Sequence, residues 1–108
     1  MELMEEVITK LKRIYDPEIP VDIYNLGLIY NIDFEACRNG LYCNILMTFT
    51  SPNCPVADFI LDSIRRSLIT IEEIYRVEIE VTFDPPWDRS KISQEGQEIF
   101  EMENVDMN

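Results

Sequence analysis

Cys54 is the residue whose setting first suggests chemistry, within Thr50-Ser51-Pro52-Asn53-Cys54-Pro55. This proline-bounded run reads as a loop entering a helix, with Pro55 in the first helical turn, where a missing N–H costs nothing. A cysteine at or near an N-cap meets unpaired N–H groups and the positive end of the helix dipole. Both favour the thiolate, the form that binds metals. The plainer reading is a small buried apolar residue. Cys54 lies outside any apolar stripe, which favours the chemical reading.

Other residues carry weaker signals. Asp16 and Glu18 bracket Pro17. Two carboxylates on a rigid turn suit a hard metal or general-base work, although spacing alone favours an Asx turn beside a solvated glutamate. Thr48 and Thr50 share a strand face if the strand before Cys54 runs that far. Their hydroxyls, with Ser51, would bond a thiolate or ligand, and Ser51 or Asn53 would cap the helix. Trp87 follows Pro85-Pro86 and would either seal the core or anchor a partner. Cys37 and Cys43 flank Asn39-Gly40. With those two as turn residues, Cys37 pairs with Tyr42, the two thiols face opposite ways, and both read as strand filler. A longer loop would bring them opposite each other.

The composition of the 108 residues narrows the field. Histidine is absent, which removes Ser-His-Asp triads, Cys-His dyads and His-ligated zinc or haem on this chain. Acidic residues number 21 against 9 basic ones, for a net charge of −12. Nucleic acid would meet net repulsion. Three cysteines without a CxxC fit a reducing compartment. The acidic N-terminus has no signal-like apolar stretch, so a cytoplasmic protein is expected. The uncharged run 39–57 contains glycine and two prolines and cannot be a spanning helix.

Periodicity supplies the elements that must position these groups. Leu3, Met4, Val7, Ile8, Leu11 and Ile14 predict a helix over roughly 2–14, halted by Asp16-Pro17. The stretch 16–27 reads as an ordered loop or single turn. Alternation from Leu28 to Phe34 predicts a strand, and a second follows over about 41–49. Val56, Phe59, Ile60, Ile64 and Leu68 line one face of a second helix. Val77, Ile79, Val81 and Phe83 form a third strand. Ser93–Gly96 starts a short last helix with Ile99, Phe100 and Met102 apolar, and its end should fray. The order α-β-β-α-β-α predicts an α+β, two-layer sandwich with a mixed sheet and helices on one face. One domain is expected over 1–108, with its core at about 3–100 and a tail at about 101–108.

Three stretches, taken together, resemble the SufT/PaaD-like metal–sulfur cluster biosynthesis family. They are the run from Asp16-Pro17-Glu18 to Tyr30, the run from Met47-Thr48-Phe49 to Cys54-Pro55, and Val81-Thr82-Phe83-Asp84-Pro85-Pro86-Trp87. The match covers about residues 3–100. The resemblance implies an iron–sulfur cluster assembly-like domain and a non-enzymatic role in cluster assembly or delivery. It implies functional positions at Asp16, Glu18, Thr48 or Thr50, and Cys54. Cys37 and Cys43 match no family position. An iron–sulfur cluster or iron would be held transiently and shared with another chain, because a cluster takes about four thiolates. Assembly machinery, client apoproteins and a second copy are the expected partners, with no nucleic acid and no membrane. A metal-free adaptor working through Trp87 and the 16–27 loop is the alternative, as is an accessory of a phenylacetate-type oxygenase. Members of that last kind usually carry extra cysteines toward a longer tail, whereas this sequence ends at Asn108 without one.

Overall fold

Apolar side chains three and four residues apart turn Val7 and Leu11 inward on helix α1 (Leu3–Leu11), in a computed structural model that describes residues 2–17 and 19–104. Glu5 and Glu6 in its first turn and Lys10 in its last match the helix dipole. The helix ends at Leu11, with Lys12 as its C-cap, short of the expected 14. The Arg13 and Ile14 amides bond back only three residues, to the Lys10 and Leu11 carbonyls. The following loop then claims the chain: the Ile23 amide donates to the Ile14 carbonyl at 2.8 Å, and Tyr15 bridges Asp22. The 16–27 loop is ordered, with Val21, Ile23 and Leu26 buried.

Three strands follow the predicted order: β1 (Ile29–Cys37), β2 (Gly40–Met47) and β3 (Ile74–Val81). β1 and β2 are antiparallel, β3 lies parallel to β2 on its other side, and helix α2 (Ala57–Leu68) makes the crossover. The hairpin differs from expectation. Arg38 and Asn39 form the turn and Cys37 pairs with Gly40. A type I′ turn needs positive φ at both central residues. Among the described residues no non-glycine has positive φ, and Gly40 itself takes +144°. Glu35, not Cys37, therefore faces Tyr42. The slip is two residues, so faces are preserved: Cys43 points inward opposite Phe34, and Cys37 lies on the other face. β2 also stops two residues early and β3 starts three early, at Ile74.

Cys43, Ile45, Met47 and Val77 meet Ile60, Ile64 and Leu68 of α2 and Val7 and Leu11 of α1 in the core. Each fully buried aliphatic side chain contributes about 1.5–3 kcal/mol. The other face of the sheet is open and polar, carrying Asn31, Asp33, Asn44, Glu78 and Glu80. Phe59, expected on the buried stripe of α2, is 62 % exposed, while Leu61 packs against the core. A 3₁₀ turn over Arg89–Lys91 precedes helix α3 (Gln94–Asn104), which is longer than expected. Ile99 and Phe100 pack inward, whereas Met102 is exposed. Among the described residues no helix is long and apolar enough to cross a membrane.

Candidate functional site

The parallel crossover sets the site's place. β2 and β3 finish at one end of the sheet, α2 begins there, and β1 starts there because Ile29 faces Met47. Two backbone bonds stitch this end together. The Thr48 amide donates to the Leu28 carbonyl at 2.9 Å, and the Thr82 amide to the Met47 carbonyl at 2.8 Å. Thr48 is fully buried, just past the end of β2. Thr50 lies on a bend beyond buried Phe49, so the strand does not extend to a shared Thr48–Thr50 face.

Two successive turns carry Cys54. Its amide donates to the Ser51 carbonyl at 3.3 Å, and its own carbonyl accepts from the Ala57 amide at 3.3 Å. Ser51 Oγ accepts from the Asn53 amide at 3.2 Å, which tightens the first turn. α2 begins at Ala57 with Val56 as its N-cap and no side-chain cap. Cys54 is thus two residues before the cap, not at it, and Pro55 precedes the cap instead of occupying the first helical turn. Neither Ser51 nor Asn53 caps the helix. The two turns insert one more loop residue pair than the sequence spacing suggests. Cys54 is half-buried and rests on the core.

A polar latch fixes the neighbouring loop. Asn25 donates through its amide and its Nδ2 to the buried Asp22 carboxylate, at 2.9 and 2.8 Å, and through Nδ2 to Glu95 at 3.2 Å. Ser93 donates from Oγ to Asn25 Oδ1 at 2.6 Å and from its amide to the Asn25 carbonyl at 2.8 Å. Ser93 Oγ also accepts from the Gly96 amide, capping α3. The Trp87 indole N–H donates to the Leu26 carbonyl at 2.7 Å, so Trp87 seals loop to loop as well as resting on the core. Asp22 and Asn25 had no place among the sequence candidates. Their three-residue spacing signals a local turn, but nothing in it points to Ser93.

Asp16 is buried, at 5 % exposure, on the loop before this latch. Glu18 lies outside the described residues. Among the described residues no three carboxylates or thiols gather closely enough to hold a metal ion. The cysteines also separate by chemistry. Burial, helped by the charge of Asp33, pushes the Cys43 thiol up to about 11, which keeps it protonated and inert. Cys37 is half-buried at the far end of β1.

The family described as Iron-sulfur cluster assembly protein matches residues 4–81. An Fe-S protein maturation auxiliary factor of Porphyromonas gingivalis is 42% identical over 85% of this chain and 85% of its own length. The Fe-S protein maturation auxiliary factor SufT of Staphylococcus aureus is 37% identical over 75% of this chain and 89% of its own. A DUF59 domain from Bacillus anthracis, known from its crystal structure, superposes with a TM-score of 0.75 at 33% identity, covering 88% of each chain. The matched span takes in the Cys54 loop, both turns that carry it and all three strands, and the chain belongs to the iron–sulfur cluster assembly protein family.

Proposed function

We propose that this protein is a non-enzymatic accessory factor in the maturation of iron–sulfur proteins, and that Cys54 is the residue through which it engages its cargo. The observation that carries the reading is the contrast in cysteine setting. Cys54 is half-buried on a doubly turned loop at the end of the sheet, whereas Cys43 is sealed in the core. Relatives named as Fe-S protein maturation auxiliary factors support the same role.

The donor set defines what this chain can do alone. A cluster takes about four thiolates. One loop-borne cysteine supplies one, so cluster or iron is cargo completed by a partner chain, a second copy or a small thiol. Thr48 holds the strand end, Thr50 lies in the loop leading to the thiol, and Asp16 and Glu18 would support a metal from the preceding loop. Trp87 would contribute to partner docking through its exposed part. The reducing cytoplasm is the compartment in which such a thiol stays free.

Anaerobic reconstitution with iron and sulfide tests this. The wild type should develop an iron–sulfur absorption band and pass the cluster to an apo-acceptor. Cys54→Ser should lose both while keeping its circular dichroism spectrum, and Cys43→Ala should keep both. Full transfer by Cys54→Ser would overturn the cysteine-centred reading.

A further inference from the structure

The opposite end of the molecule carries a feature that the Cys54 loop does not use. β3 is an outer strand of the sheet. The Thr82 amide points to β2, and strand alternation then turns the amide and carbonyl groups of Val77 and Ile79 away from it. Beside this edge lies a shallow groove of about 320 Å³, lined by Arg65, Arg66, Ile69, Tyr75, Arg76 and Val77. Ile69 and Tyr75 are exposed large apolar residues. Three of the chain's 9 basic residues meet here, in a protein of net charge −12. Arg66 pairs with Asp62 at 2.5 Å, and Arg76 with Glu78 at 3.6 Å. Arg65 makes no ion pair among the described residues.

We infer that this groove and strand edge dock an acidic, extended segment of a partner protein, added as a fourth strand along β3. Edge amides and carbonyls supply main-chain hydrogen bonds. The arginine forks suit carboxylates, and Ile69 with Tyr75 offers an apolar seat for a bulky side chain between them. Charge also sets where the segment lies. Glu78 and Glu80, farther along β3 on the open face, repel acids, so the acidic residues gather at the Tyr75–Val77 half. A second copy fits less well, because each chain carries a net charge of −12 and two of them repel. The surface does not depend on the role given to Cys54.

The probe is a fluorescein-labelled peptide of about eight residues, a typical strand length, alternating Glu with Leu in one half and Ser with Leu in the other. Anisotropy should show binding to the wild type, and amide shifts should centre on Val77 and Ile79. The Lys-for-Glu peptide should not bind. Arg65→Glu with Arg76→Glu should weaken the acidic peptide about ten-fold or more and admit the basic one. Arg65→Gln with Arg76→Gln, folded by the same thermal transition as wild type, should fall between. No binding of the acidic peptide, binding indifferent to charge reversal, or shifts centred elsewhere would overturn the inference. So would a dimer in sedimentation that perturbs the same β3 amides.

Discussion

The two ends of the sheet hold their shape by different means. At the Cys54 end, loop meets loop: Asp22, Asn25, Ser93, Glu95 and Trp87 link segments about seventy residues apart in sequence. At the hairpin end, strand meets strand through a two-residue turn, and the long-range bond is the Leu41 amide to the Glu73 carbonyl. Each end also contains a glycine with positive φ, Gly27 and Gly40. The difference shows what a loop-borne thiol demands of the fold. A strand end is held by its ladder. A loop has no ladder and needs side-chain partners and close backbone contact to stay in one place.

The two glycines give the sharpest way to break this contrast. A Cβ on Gly27, at φ +81°, would fall 2.2 Å from the Lys91 carbonyl oxygen, so loop and 3₁₀ turn would have to part. Gly27→Ala should cost about 4 kcal/mol, combining a strained φ with overlap against backbone. At Gly40 the same Cβ would meet the Glu73 carbonyl oxygen at 3.0 Å, and Gly40→Ala should cost about 1–2 kcal/mol. Urea denaturation of both variants measures the gap. Equal losses would mean that the two ends are held alike.

Asn25 is the next test. Asn25→Ala removes the Nδ2 bonds to the buried Asp22 carboxylate and to Glu95, and the acceptor of the Ser93 hydroxyl. The backbone bond from Asn25 to Asp22 can persist, so the expected loss is about 2–3 kcal/mol. Hydrogen exchange should speed up at the start of α3 and leave the hairpin amides unchanged. A uniform rise across the molecule would show that the latch serves global stability instead of this end.

How much of this the sequence revealed follows the range of each interaction. Local patterns were readable: the α1 and α2 stripes, the alternating strands and the α-β-β-α-β-α order are set by neighbours a few residues apart. The family motifs also marked the Cys54 loop. Errors came where a distant segment intervened. Helix α1 stops early because Ile14 and Tyr15 pair with Ile23 and Asp22. The hairpin slips by two residues because Gly40, with φ +144°, sits in the ladder against Cys37 and close to Glu73, and not in the turn. Cys54 misses the N-cap because two turns, each closed by one backbone bond, intervene. Asp22, Asn25 and Ser93 stayed invisible as a group, since their polar character suits solvent as readily as each other.

The cysteines offer the finest comparison, one residue type at both ends. Cys43 lies three residues along β2 from Gly40 and is buried, its thiol raised from 9.0 to about 11. An acid raised by folding binds its proton more tightly in the native state. Between pH 9 and pH 11 the unfolded chain releases that proton and the folded chain keeps it, so stability falls as pH rises through this window. The loss should be on the order of 2 kcal/mol, since one pKa unit is about 1.4 kcal/mol and the share from exposed Asp33 is screened. Tyrosine and lysine titrate in the same range, so the useful quantity is the difference in slope between wild type and Cys43→Ala in urea melts. Thiol labelling at neutral pH gives the complementary reading: half-buried Cys54 and Cys37 should react in the native protein, and Cys43 only on unfolding. If Cys43 labels as fast as Cys54, the sealed strand thiol and the loop thiol are not distinct, and the case for Cys54 as the residue set apart loses its physical basis.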